Sequence, residues 1–433
     1  MAPEASPTRA PGTHQRPNGD CRFWLGVASA VAVGAVVRFV YLFHAAPVFV
    51  RDDGFIYHFE ALRIADGLGY TLPIGDEAEW AWHAPGWVTV RAGVTKAGGR
   101  SMWAHQVTGL VIGLGVIALV GLIGRRYSCR RVGVVAALLA AVYPGFWVLD
   151  VQILSEPLGL LVAGLLMLVL ADLWERPTLA RALLAGAVSG ALALVRSEQV
   201  LLLVIAVVPI LLFNRRITVH GRLTWTGAAA LTALALMAPW TIHNLGRFEE
   251  PVVLSTNLGY TLYAGNCPPT YAGEQIGSYN IYCPSMLARQ SFTDVDQSQA
   301  DIEYRQAAFA SMRDNVDHLP ATVLARYGRT LGVFRPAQTI GFAARWLGSA
   351  TWPVWAWVTS FWVLVSLAAY GSIVLRRSRA FQWPLVAPLL ITLLVVTIAY
   401  GEPRYHTPAD LGIVVLAAVG LDRLMRRLRK AGG

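Results

Sequence analysis

The chain has 433 residues, 55% hydrophobic and 14% charged, with a mean hydropathy of +0.49. That balance excludes a soluble fold of this length and calls for several apolar runs near the ~20 residues that cross a bilayer. A net charge of +10 and a pI near 9.7 would suit a nucleic-acid binder, but the arginines gather in a few short inter-helix turns, which makes them a topology signal instead.

In chain order, residues 1–22 are rich in Pro, Ala, Gly and Thr and are expected to form a disordered cytoplasmic tail. The next apolar run is longer than a signal-peptide core, so it is read as a retained helix. About ten spans are predicted, over 23–45, 103–124, 132–148, 157–173, 182–195, 199–213, 224–242, 352–375, 384–400 and 407–424. Arg196 and Glu198 interrupt the run at 182–213, which reads either as a tight hairpin or as one tilted helix. The hairpin is preferred, because a continuous helix would bury both charges.

Arg125, Arg126, Arg130, Arg131, Arg215, Arg216, Arg376, Arg377 and the Arg423–Lys430 tail all fall on the side of the N-terminus. The positive-inside rule makes that side cytoplasmic and predicts a multi-pass plasma-membrane protein with both termini inside. The expected organisation is a bundle over 23–242, with an outer loop at 46–102, an extracytoplasmic loop region at 243–351 between helices seven and eight, and C-terminal helices with a basic tail over 352–433. Arg38, in the first span, is expected to snorkel outward.

The first outer loop opens with Asp52 and Asp53. A helix from about Phe55 to Asp66 is predicted to carry Tyr57, Ala61, Ile64 and Ala65 on an apolar stripe, with His58, Glu60, Arg63 and Asp66 on a solvated face. Asp53 then sits at the positive end of the helix dipole, either as an ordinary N-cap or as a working carboxylate. The segment 83–94, HAPGWVTVRAGV, predicts a second interfacial helix. In the second outer loop, Cys267 and Cys283 form either a disulfide, allowed in an oxidising compartment, or two free thiols. The stretch 294–335 reads as helical, with Ile302, Ala307, Phe309 and Leu324 at apolar positions. The 15 tryptophans, Trp346, Trp352, Trp355, Trp357 and Trp362 among them, are read as an aromatic belt.

Asp53 with Tyr57 four residues on, the ending ADGLGY at 65–70, PGW at 85–87, LSEP at 154–157, LVRSE at 194–198, APWTIHN at 238–244, STNLGYTLYAGNCP at 255–268 and GEPRYHTPAD at 401–410 appear in order. Together they resemble the GT-C superfamily of membrane glycosyltransferases, in particular the protein O-mannosyltransferase and aminoarabinose transferase group. One departure is that Gly54 follows Asp53 where the family often has an acid, and the extra acid, Asp52, comes before it.

The resemblance implies an all-α polytopic bundle with interfacial helices. It also implies an inverting glycosyltransferase, hexosyl- or pentosyl-, that moves a sugar from a polyprenyl-phosphate donor to a glycan, lipid or protein acceptor on the outer side. Such chemistry needs a base for the acceptor hydroxyl and cations for the leaving phosphate. Asp53 is the candidate base, with Asp52 the alternative. Arg404 and Arg196 are the candidate phosphate partners, because Arg offers a bidentate fork. Glu156, Tyr57, Glu402, His406, Asn257 and Asn266 are candidate substrate contacts, although Glu156 also reads as a structural carboxylate and the two asparagines as turn caps. The one cofactor left open is a divalent metal ion between Asp52 or Asp53 and Glu402 or His406, and their spacing assigns none. The competing reading is a non-catalytic transporter or flippase of lipid-linked saccharides. It would place its charges near the bilayer midplane and show inverted repeats, which the sequence does not display.

Overall fold

The computed structural model describes residues 17–44, 52–72, 78–291 and 295–431. Helix α1 (Pro17–His44) starts earlier than the predicted 23, and residues 1–16 of the expected tail lie outside the described residues. Two short helices follow, α2 (Asp52–Ala65) and α3 (Pro85–Lys96), with an antiparallel strand pair between them, β1 (Thr71–Leu72) and β2 (Ala78–Glu79). Then come α4 (Met102–Tyr127), α5 (Arg130–Val142), α6 (Pro144–Asp150), α7 (Glu156–Glu175) and α8 (Leu179–Val195).

Five described helices are long and apolar enough to cross a membrane. The predicted span 132–148 is broken into α5 and α6, which bend by 54° at Tyr143, where Pro144 denies the helix a backbone donor. Counted as one span, the pair makes a sixth, and 179–195, 197–213 and 383–398 are shorter apolar helices.

The chain reverses at Arg196. Arg196 reaches Glu156 at the start of α7, and Asn214 donates to the carbonyls of Leu173 and Trp174 near its end, so the returning segment runs back along α7 as a hairpin. That return is irregular: a 3₁₀ turn (Ser197–Val200), a π-helical turn (Leu203–Val207), then α9 (Val208–Phe213). Helix α10 (Val219–Leu245) packs along α8.

The second long loop folds into α11 (Leu258–Gly265), α12 (Tyr282–Ser291), α13 (Gln297–Asp314), α14 (Leu319–Thr330) and α15 (Pro336–Trp346). Cys267 and Cys283 are joined by a disulfide with a Cα–Cα distance of 6.4 Å. The buried Arg326 ties this loop to the bundle, donating to the carbonyls of Gly265 and Thr397 and to Asn266 Oδ1. Phe309 and Leu324, expected among the packing positions, are exposed, and the packing falls to Tyr304, Ala308 and Ala325. Replacing Cys267 and Cys283 by Ser removes a cross-link around a 16-residue separation, worth about 3 kcal/mol. The expected result is a lower thermal midpoint and faster proteolysis between 267 and 283.

Helices α16 (Thr351–Arg377), α17 (Trp383–Ile398) and α18 (Thr407–Ala431) close the bundle. The α16–α18 seam is tight because a Cβ on Gly371 would lie 1.9 Å from the Leu416 carbonyl oxygen, so only glycine lets the two backbones meet.

Arg38 does not snorkel. It is fully buried, with Nε 2.6 Å from Asp150 Oδ2 and Nη1 on the Ala141 carbonyl. The counter-ion lies 112 residues away on α6, where only the folded bundle brings it to α1. Removing one partner strands a buried charge: Asp150→Ala is expected to cost about 3–5 kcal/mol, and the joint replacement Arg38→Met, Asp150→Leu much less. Thermal unfolding of the detergent-purified variants compares the two.

Candidate active site

Helix α2 has two packed faces. Tyr57 and Ala61 meet Trp87, Val88 and Ala92 of α3 together with Ile153, as the stripe predicts. His58 and Glu60, expected on the solvated face, are buried at 5% and 1% exposure. The reason is tertiary: His58 Nδ1 contacts His105 Nδ1 of α4 at 3.0 Å, and Glu60 faces His83 at the entry to α3. A helix lying free on a membrane surface would leave both in water.

This packing fixes Asp53, in the first turn of α2, at the wall of a cavity of about 550 Å³. The Asp53 carboxylate lies 3.5 Å from His83 Nε2 through Oδ1 and 3.4 Å from Arg404 Nη1 through Oδ2. Burial pushes this carboxyl up, but the His83 contact and the Arg404 charge outweigh it and hold Asp53 well below the usual carboxylate range. It is therefore ionised, which a general base requires. Asp52 begins the helix, and its side chain lies outside the described residues.

Arg404 stands on a 3₁₀ turn (Pro403–His406) just before α18. Its Nε is 3.3 Å from Glu402 Oε2 without hydrogen-bond geometry, and its guanidinium covers the Trp346 ring at 4.0 Å. Burial drives the Glu402 carboxyl up against the pull of Arg404, and Asp53 and Glu156 add to the rise.

Arg196 is held more firmly, with Nη1 2.8 Å from Glu156 and Nε 2.7 Å from Glu198. Its charge is balanced by two carboxylates at close range, whereas both ion pairs of Arg404 are long. Of the two, Arg404 is the guanidinium a phosphate could redirect at lower cost.

Tyr57, Glu156, Glu402 and Asn257 line the same cavity, as do Arg196 and Arg404. Two candidates do not. His406 is turned into the bundle, with Nδ1 2.8 Å from Asp410 and its ring stacked on Phe361 at 3.9 Å. Asn266 is fully buried and bonds Leu262, Ile398 and Arg326, so it anchors the loop. Among the described residues, no group of three or more His, Cys, Asp or Glu side chains is placed to hold a metal ion.

Sequence reasoning missed His83, Trp82, Tyr279, Tyr400 and Trp346, which also line the cavity. Of these, only His83 had a usable signal, as a titratable residue opening an interfacial helix beside a Pro-Gly turn. Trp346 was absorbed into the aromatic belt. Trp357, placed in the same belt, is 1% exposed and donates to Tyr143 inside the bundle.

Residues 83–243 match the family described as dolichyl-phosphate-mannose-protein mannosyltransferase. No curated protein matches the chain. The apo oligosaccharyltransferase of Archaeoglobus fulgidus aligns with a TM-score of 0.53 at 12% identity, covering 95% of this chain and 52% of that one. The oligosaccharyltransferase AglB from the same organism, in complex with an inhibitory peptide and a dolichol-phosphate, aligns at 0.50 and 13% identity, again over 95% and 52%. ArnT from Cupriavidus metallidurans bound to undecaprenyl phosphate gives 0.41 at 16% identity over 92% and 78%. This chain thus spans about half the length of the archaeal oligosaccharyltransferase it matches. With its bundle of apolar helices and the mannosyltransferase-family match over 83–243, the chain shares the fold of the archaeal oligosaccharyltransferase.

Proposed function

We propose that this protein transfers a sugar from a polyprenyl-phosphate donor to an acceptor hydroxyl, with inversion at the anomeric carbon, on the extracytoplasmic side of the plasma membrane. The observation that carries the reading is one carboxylate and one guanidinium, Asp53 and Arg404, meeting at 3.4 Å on the wall of a single cavity from distant parts of the chain. Asp53 takes the proton from the acceptor hydroxyl as its oxygen bonds to the anomeric carbon. The bond from that carbon to the phosphate oxygen breaks, and the polyprenyl phosphate leaves with the electron pair. Arg404 meets the charge that grows on the phosphate, where a preoriented cation stabilises the transition state more than the ground state. Leu394, Val395 and Ile398 of α17 give the cavity an apolar flank beside Arg404, suited to the first prenyl units of the donor.

Support for the sidedness comes from the arginine-rich turns, which lie at the far ends of the helices from this cavity. The dolichyl-phosphate-mannose family match and the lipid phosphate named for AglB agree with a lipid-linked donor. The transporter reading draws no comparable support, since the charged groups that line this cavity, Asp53, Glu156, Arg196, Glu402 and Arg404, lie at or beside helix ends.

The test uses purified protein in vesicles that carry a radiolabelled polyprenyl-phosphate sugar, with a panel of hydroxyl acceptors outside. Transfer with release of one polyprenyl phosphate per sugar supports the proposal. Movement of intact donor between leaflets without its consumption overturns it in favour of a flippase.

A further inference from the structure

Two buried polar atoms beside the cavity have no hydrogen-bond partner, Glu60 Oε2 and His83 Nδ1. They face each other at 4.0 Å, about 1 Å beyond hydrogen-bond length. Buried orphans of this kind are rare and need a reason. On its other side the His83 ring presents Nε2 to Asp53 Oδ1 at 3.5 Å, and its face is stacked on Tyr57, 4.1 Å between centroids. Glu60, His83 and Asp53 therefore form a line running from the packed back of α2 into the cavity.

The geometry points to His83 and Glu60 as positioning residues for the base: with substrate in place, the neutral Glu60 carboxyl donates to His83 Nδ1, and His83 in turn donates its Nε2–H to Asp53. The inference rests on Asp53 being the base of the proposed transfer.

The line requires a proton on His83 Nε2. A neutral acid at Nδ1 fixes the imidazole tautomer that keeps its proton on Nε2, and that N–H holds Asp53 aimed into the cavity. The surroundings of Glu60 keep it neutral: burial and the nearby Asp53 push its carboxyl well above the ordinary range, and the Arg247 charge only partly opposes them. Tyr70, close to Glu60, is itself pushed up and adds no charge. The groups facing His83 are Asp53, Glu60 and Tyr57, with Arg404 on the far side of Asp53. Once Glu60 ionises, its carboxylate draws the imidazole proton to Nδ1 and leaves a lone pair facing Asp53.

The test measures transfer against pH and donor concentration in four single variants. His83→Leu and Glu60→Leu are expected to lower kcat about 10- to 100-fold, within the share that general-base catalysis supplies, with the donor KM within about twofold. Glu60→Gln mimics the neutral acid, so it is expected to recover kcat to within about threefold. It should also erase the fall in kcat that the parent shows on the alkaline side, since an amide cannot ionise. The fourth variant, Asp53→Asn, separates the two levels of inference. If it stays active, the base assignment fails with everything built on it. If it is inactive while His83→Leu and Glu60→Leu turn over normally, or if Glu60→Gln is as damaged as Glu60→Leu, this inference alone is overturned. Circular dichroism and gel filtration of each variant separate loss of positioning from loss of fold.

Discussion

Asp53→Asn is expected to abolish transfer, lowering kcat by about 10³-fold or more, while the purified variant still binds polyprenyl phosphate. A general base contributes roughly 10²- to 10⁴-fold, and the amide keeps the shape of the carboxylate while losing the basic oxygen. Folding survives because Asp53 is 27% exposed at a cavity wall and both its contacts are long. Since Arg404 loses one of its two carboxylates, donor affinity rises or stays level, and the effect falls on kcat. The measurement is a single-turnover assay at saturating donor, with binding followed separately by quenching of tryptophan fluorescence, for which Trp346 and Trp82 line the cavity. Normal turnover with Asp52 still present removes Asp53 from the chemistry.

Arg404→Ala is expected to weaken binding of polyprenyl phosphate about 10- to 100-fold. A hydrogen bond to a charged group is worth about 1.5–3 kcal/mol, and this guanidinium offers a planar fork beside an apolar flank. Arg404→Lys keeps the charge and loses the fork, so it falls between the two. A second effect has a definite sign. The Arg404 charge helps to hold Asp53 well below the usual carboxylate range. Without it, Asp53 protonates at higher pH, and the acid limb of the activity profile moves toward neutrality. Unchanged donor affinity in Arg404→Ala assigns the phosphate elsewhere, with Arg196 the next guanidinium in the cavity.

Local pattern located the apolar helices but not their number, since about ten spans were expected and five described helices, six with the bent pair, are long and apolar enough to cross a membrane. The charges at Arg196 and Glu198 marked a reversal that the Glu156 and Asn214 contacts bear out. Pattern failed wherever a side chain takes its meaning from a distant partner. Arg38 looks like a snorkelling cation until Asp150 is packed against it, and His58 and Glu60 look solvated until His105 and His83 cover them. His406 adjoins Arg404 in sequence, yet the 3₁₀ turn sends the two side chains to opposite sides, one to the cavity and one to Asp410. The broken span at Tyr143 carried its own signal in Pro144, which length alone overlooked.

The pairing of Asp53 with Arg404 joins positions 351 residues apart, with one partner opening the second helix and the other immediately preceding α18. A nascent chain that ends before the 3₁₀ turn at Pro403–His406 carries the Asp53 carboxylate without its Arg404 partner. Docking of α18 against α16 through the Gly371 seam then positions the guanidinium. Docking of the last described helix is thus what completes the pair of Asp53 and Arg404.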